Sequence, residues 1–346
     1  MTRVASSLHA FPALAATLVW IIAAAASAGL ILVLKPFLVR YALARPNARS
    51  SHTAPTPQGG GIAVVAAVFV GALAAVPLSG MEIKTILNLW PLAAAVVLLA
   101  ATGACDDIFH LPVVPRLALQ FLAIGLALAM LPDGARVVPL LPWWVERAAL
   151  LIGGVYFVNL VNFMDGIDLM TVAEVVPVTA GLWLLSISGA LTPDEAVIAV
   201  ALFGAVLGFA PFNRPVAKLF LGDVGSLPIG LLLFWLLLQL ATRGHVAAAL
   251  LLPLYYLADT TVTLLRRLAA AENVLQAHRT HFYQRATDRG FSVIDVIERV
   301  YLVNALLVVL AGATVIWPSP LMTVGAVALG IAAVAGLLVI FTRGNR

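Results

Sequence analysis

The chain has 346 residues, of which 62% are hydrophobic and only 10% charged. Soluble domains are nearer half apolar and a quarter charged, so this composition, with a mean hydropathy of +1.06, excludes a soluble enzyme. It also excludes a membrane β-barrel, whose strands alternate apolar and polar residues, because the apolar runs here are continuous. A single cysteine leaves no internal disulfide and no cysteine-built metal site.

The predicted elements are uncharged runs, each near the roughly 20 apolar residues that a helix needs to cross the hydrocarbon. In chain order they cover residues 13–34, 60–78, 85–105, 117–132, 148–164, 169–193 (with Glu174 inside), 196–213, 224–242 and about 246–265, which contains Asp259. No charge occurs between Arg299 and Arg343, and Trp317-Pro318-Ser319-Pro320 divides that stretch into two more spans. The first run is preceded by Arg3 and contains Ala26-Ser27-Ala28, as a secretory signal would. It continues apolar through Leu34, however, and is read as an uncleaved span. The expected fold is all-α: a single integral membrane domain over 1–346, with about eleven transmembrane helices. The bilayer is its first partner.

Basic residues stay on the cytoplasmic side. With the N-terminus outside and the C-terminus cytoplasmic, 15 of the 20 Lys and Arg residues fall on inner segments. The cytoplasmic loops are then about 35–59, 106–116, 164–168, 213–225 and 266–298, in a cytoplasmic (inner) membrane. Trp143-Trp144 and Trp317 fall at outer boundaries, as an aromatic belt does. Cys105 reads as a packing residue. Asp259 reads as an intramembrane carboxylate paired with Arg266 or Arg267.

Five acidic residues, Asp106, Asp107, Asp165, Asp168 and Asp223, sit at inner span ends on three different loops. Carboxylates are costly there, and at one depth they repel one another unless a cation lies among them. Oxygen ligands of this kind suit a hard divalent ion, Mg²⁺ first and Mn²⁺ as an alternative, with substrate phosphates completing the coordination. Asp106 and Asp107 point about 100° apart on a helix, one towards the metal and the other towards a lysine or a substrate proton. Asn159, Asn162, Asp165 and Asp168 recur every three residues on one helical face. Gly166 would let the chain approach a bulky anion. Gly222-Asp223-Val224-Gly225-Ser226 opens a helix whose N–H donors suit phosphate. His278, Arg279 and His281 add donors from the long inner loop, arginine offering a planar fork to phosphate oxygens. Gly59, Gly60 and Gly61 fit either a rigid turn or close helix packing.

The set Asp106-Asp107, Asn162-x-x-Asp165-Gly166-x-Asp168, Gly222-Asp223-x-Gly225-Ser226 and His278-Arg279-x-His281 resembles the polyprenyl-phosphate N-acetylhexosamine-1-phosphate transferases, glycosyltransferase family 4. That family includes the peptidoglycan translocase I enzymes and the O-antigen and teichoic-acid initiators. The resemblance spans about 45–285. It implies Asp223 as the main Mg²⁺ ligand, aided by the Asp106-Asp107 pair. It implies Phe220 as a ring stacked on uracil, and Asn213 at the nucleoside pocket. Asp168 and Asn162 would help hold nucleotide and pyrophosphate, and His278, Arg279 and His281 would contact sugar or phosphates. Leu169 stands where the family pattern has glycine, which would narrow the pocket beside Asp168. The last loop looks like the O-antigen-initiating branch.

The expected reaction joins the 1-phosphate of a UDP-N-acetylhexosamine to polyprenyl phosphate, releasing UMP, with Asp106, Asp107, Asp165 and Asp168 in catalytic roles. No nucleic acid is expected as a partner, and a homodimer is admitted. Two alternatives remain: a transporter, which would hold its carboxylates nearer mid-membrane, and a CDP-alcohol phosphotransferase. The Asp-Gly-x-x-Ala-Arg signature of the latter is absent after Asp165-Gly166.

Overall fold

A helix that is apolar on every side must be surrounded, and the run that opens at Asp223 is such a helix. In the computed structural model, which describes residues 11–44, 55–132, 134–273 and 278–344, this helix is the axis of the bundle. The elements in order are α1 (Ala13–Tyr41), β1 (Leu43–Ala44), β2 (Thr56–Pro57), α2 (Gly61–Ser79), α3 (Ile83–Leu87), α4 (Trp90–Phe109), α5 (Val113–Ala129), α6 (Trp143–Met164) and α7 (Met170–Ile187). There follow α8 (Pro193–Phe209), α9 (Asp223–Thr242), α10 (Val246–Leu251), α11 (Leu254–Ala269), α12 (Phe282–Asp288), α13 (Val293–Ile316) and α14 (Pro320–Arg343). Expectations resting on Arg3, Arg45, Arg49, Arg346, Gln276 and Ala277 lie outside the described residues.

Helices α2, α4, α6 and α10 pack directly on α9, while α1 lies against α2 and α8, and α13 against α7. Almost all of α9 is buried, including Trp235 and the leucines at 231, 232, 233, 236 and 240. The outer helices instead present large apolar side chains outwards: Leu14 and Leu32 on α1, Val309 on α13, and Leu321 and Val324 on α14 are all more than 60% exposed. A soluble protein does not carry such a surface; lipid covers it here. Nine helices among the described residues are long and apolar enough to cross a membrane. The chain is an all-α, polytopic membrane protein.

Two further expected spans take other forms. The one near 117–132 is the 17-residue α5. The one near 246–265 is split into α10 and α11 around Pro253, whose ring removes an N–H and crowds the preceding turn. Helices also run further than charge patterning suggests. The first continues through Lys35 to Tyr41. The third starts only at Trp90, after the short α3, and continues to Phe109, so Asp106 and Asp107 lie in its last turn. The small antiparallel pair of β1 and β2, with Leu43 opposite Pro57, has no counterpart in the hydropathy pattern.

The glycines at 59–61 serve close packing as well as a turn. The N–H groups of Gly60 and Gly61 donate to the Phe220 and Leu221 carbonyls, both at 2.9 Å. A Cβ on Gly61 would lie 2.2 Å from the Gly225 Cα, so α2 and α9 touch backbone to backbone. Gly61→Ala is expected to lower the thermal midpoint in detergent, with an overpacking cost of about 1–3 kcal/mol. Gly125→Ala on α5 has nothing within 4 Å of the added Cβ and should change stability by less than about 0.5 kcal/mol. Equal midpoints for the two variants would contradict this contact.

Candidate active site

The N-terminus of α9 meets the last turn of α4. Asp107 accepts hydrogen bonds from the N–H groups of Asp223, at 3.1 Å, and Val224, at 3.2 Å. A carboxylate at the positive end of a helix is favourable, so Asp107 is the anion held there, and these two donors are not open to a phosphate as the sequence suggests. Asp106, about 100° further round α4, accepts from the Leu111 N–H at 2.6 Å and pairs with Arg116 Nη1 at 2.8 Å. Arg116 also lies 4.0 Å from Asp223 Oδ2. The guanidinium thus serves as counter-charge to both. Sequence reasoning counted Arg116 only among the inner positive charges; its signal was its place in the first turn of α5, ten residues after Asp106.

The polar stripe of α6 finds several partners. Asn159 is buried and exchanges hydrogen bonds with Gln120 of α5. Asn162 Nδ2 donates to Asp223 Oδ1 at 2.7 Å and to Ser226 Oγ at 2.9 Å. Asp165, just past the helix, accepts from the Thr171 hydroxyl. Burial pushes its carboxyl up to about 7, with repulsion from Asp107 and Asp168 adding and the Thr171 bond opposing. Asp168 is buried and accepts the Ala217 N–H at 3.0 Å. It therefore ties the α6–α7 corner to the segment before α9.

That segment is fastened at two further points. Asn213 accepts the Leu169 N–H at 2.7 Å and donates to the Leu219 carbonyl at 3.0 Å, so both ends of its amide brace the protein. Phe220 donates its N–H to the Pro57 carbonyl at 2.8 Å, and its side chain is half-buried. Leu169 has φ of +61°, a left-handed conformation that costs an L-residue about 1–2 kcal/mol and explains a glycine in the family pattern. Leu169 also lines a cavity with Ile297, Glu298 and Tyr301 of α13.

The histidine–arginine segment stands on the other side of the α6 corner. His281 is buried and stacks on His278, ring centroids 4.9 Å apart. His278 Nδ1 lies 2.9 Å from the Thr280 hydroxyl, and Arg279 pairs with Asp288 at 3.1 Å. Tyr283 donates its hydroxyl to the Phe163 carbonyl at 3.0 Å. A Cβ on Gly166 would lie 2.1 Å from that hydroxyl, so the glycine makes room for Tyr283 rather than for an anion. Asp259 is not paired with Arg266 or Arg267 as expected. It faces His281 at 3.1 Å, while Arg267 pairs with Glu272 at 2.8 Å. Cys105 is exposed instead of packed, because α4 turns that face outwards.

Among the described residues, no three His, Cys, Asp or Glu side chains converge as a closed metal cage. The donor set still fits a hard cation. Mg²⁺ is commonly held by one or two carboxylates plus substrate phosphates, and Asp106 and Asp223 both lie within reach of Arg116, which marks where such carboxylates gather.

Residues 89–241 match the model of glycosyl transferase family 4. That stretch carries the Asp106-Asp107 pair, the α6 stripe and Asp223. Over that stretch the chain is similar to this family. It is 28% identical to the decaprenyl-phosphate N-acetylglucosaminephosphotransferase of Mycolicibacterium smegmatis, over 88% of this chain and 83% of that protein. It is 25% identical to the probable undecaprenyl-phosphate N-acetylglucosaminyl 1-phosphate transferase of Bacillus subtilis, over 84% of each. Similarity extends to the phospho-N-acetylmuramoyl-pentapeptide-transferase of Psychrobacter sp., at 25% over 77% of this chain and 82% of that one. Asp259 and the 278–285 segment lie beyond the family-matched residues.

The capping contact at the α4–α9 junction can be tested directly. Asp107→Ala strands two N–H groups, and loss of a helix cap costs about 0.5–2 kcal/mol; a lowered thermal midpoint in detergent is expected. Asp107→Ser, which keeps one acceptor, should recover part of the loss. An unchanged midpoint for the alanine variant would rule out the capping role.

Proposed function

We propose that the chain transfers an N-acetylhexosamine 1-phosphate, N-acetylglucosamine 1-phosphate first among them, from a UDP-sugar to polyprenyl phosphate. The observation that carries this reading is that Arg116 of α5 lies against both Asp106 of α4 and Asp223, while Asn162 of α6 donates to Asp223. Such a junction of carboxylates, an amide and a guanidinium at helix ends is built for phosphates. The names of the relatives support a polyprenyl phosphate acceptor and an N-acetylhexosamine phosphate donor group.

In the reaction, an oxygen of polyprenyl phosphate attacks the β-phosphorus of the UDP-sugar. The bond from that phosphorus to the bridging oxygen breaks, and UMP leaves with the electron pair. Asp223 and Asp106 would hold Mg²⁺, which when bound neutralises charge on the phosphates and the leaving UMP. Arg116 sits where it can exchange its carboxylate partner for phosphate oxygens, and Asn162 fixes the orientation of Asp223. Asp165 is suited to hold or pass a proton, although a phosphate monoester is already largely ionised near pH 7. Asp168 and Asn213 shape the nucleotide side by bracing the 213–222 segment, and the half-buried Phe220 ring offers a flat face to uracil. His278, Arg279 and His281 face the sugar or phosphates from the remaining side. The active face is cytoplasmic, in the inner membrane, and the product starts a lipid-linked envelope glycan such as O-antigen.

The test is transfer of labelled sugar phosphate from UDP-N-acetylglucosamine to polyprenyl phosphate in purified preparations, with UMP released in equal amount. Absence of lipid product with every UDP-N-acetylhexosamine tried would overturn the reading. Asp223→Asn should abolish transfer while the protein still inserts, and EDTA should silence the wild type. Phe220→Ala should raise the KM for the UDP-sugar about ten- to a hundredfold, given about 1–3 kcal/mol for a stacked base. The KM for polyprenyl phosphate should stay unchanged. An unaltered UDP-sugar KM removes Phe220 from the pocket.

A further inference from the structure

Asp259 lies in α11, fully buried, and its carboxylate collects five donors. It accepts from His281 Nδ1 at 3.1 Å, from the N–H groups of Phe282 at 3.0 Å and Tyr283 at 3.2 Å, from the Tyr255 hydroxyl at 3.2 Å and from the Thr263 hydroxyl at 3.4 Å. Three of the five come from the 281–283 stretch, where α12 begins. The charge in α11 is thus tied to the loop beside the site, not to the arginines of its own helix.

We propose that Asp259 is a positioning residue for the transfer reaction, acting through His281. A carboxylate that accepts from Nδ1 fixes the imidazole in orientation and tautomer, leaving Nε2 as the ring atom available to another partner. The ring so held stacks on His278 and on Tyr283, with centroids 4.9 and 5.7 Å away. Tyr283 reaches across to the Phe163 carbonyl at 3.0 Å, two residues before Asp165. One buried anion therefore sets both the face His281 presents and the distance between the histidine–arginine segment and the α6 corner. The span that is broken at Pro253 carries this anion on α11, its second half. This inference rests on the proposed function for its kinetic consequence, whereas the anchoring itself does not.

The experiment compares wild type, Asp259→Asn, His281→Gln and the double variant in detergent. Turnover is one readout, and tryptic cleavage after Arg279 and Arg285, followed by mass spectrometry, is the other. Asp259→Asn leaves the amide facing donors it cannot satisfy. A misplacement of about 1 Å costs on the order of a hundredfold in rate, so kcat should fall about ten- to a hundredfold while the KM for polyprenyl phosphate holds. Cleavage at both arginines should accelerate. The double variant should be no slower than the slower single variant, within about twofold. Gly125→Ala, where an added Cβ meets nothing within 4 Å, should keep both wild-type turnover and wild-type protection. Cleavage unchanged in Asp259→Asn, or losses that multiply in the double variant, would overturn the proposal. If Asp259→Asn does not yield a monodisperse protein, His281→Gln decides alone: faster cleavage and lower kcat support the anchor, and wild-type behaviour overturns it. A wild type without transfer activity would remove the functional reading, and the cleavage arm would still judge the anchor.

Discussion

A carboxylate at the edge of the hydrocarbon must be given hydrogen-bond donors or a cation, and that constraint organises this molecule. Asp107 takes the free N–H groups of α9, Asp106 takes Arg116, and Asp223 takes Asn162. Each bond crosses between helices. The acidic residues therefore do structural work, and the axial helix α9 is positioned by the groups of the candidate site.

The same logic reaches the second layer. Asp168 and Asn213 spend their polar atoms on the backbone of Ala217, Leu169 and Leu219, which holds the segment leading into Gly222-Asp223. The backbone pairing of Phe220 with Pro57 and Gly60 extends the brace to the start of α2. A substitution at these positions would therefore loosen the segment that leads into α9. Arg116 and Asp223 instead meet through charge, at the junction of α5 and α9.

Asp259 answers the constraint in a different way. Its five donors include two backbone N–H groups at the start of α12, so a charge inside a broken span is neutralised by a loop that belongs beside the site. The close approach of Tyr283 to Gly166 completes the link from α11 to the end of α6.

The sequence by itself determined the membrane class and most of the spans, and it singled out the candidate site residues, because composition and apolar run length report directly on the solvent of each segment. The motif residues Asp106, Asp107, Asn162, Asp165, Asp168 and Asp223 were legible because polar groups at span ends stand out against an apolar background. The pairings belong to tertiary structure. Nothing in the order of residues places Asp107 on the N–H groups of α9, gives Arg116 to Asp106, turns Gly166 towards Tyr283 or moves Asp259 from its neighbouring arginines to His281. These partners lie 22 to 117 positions apart in the chain, apart from the ten between Asp106 and Arg116, and a hydrogen bond is decided by ångström-scale approach rather than by spacing along the sequence. The break at Pro253 and the left-handed Leu169 follow the same rule. The residues permit them, and packing against α9, α13 and the 213–222 segment selects them.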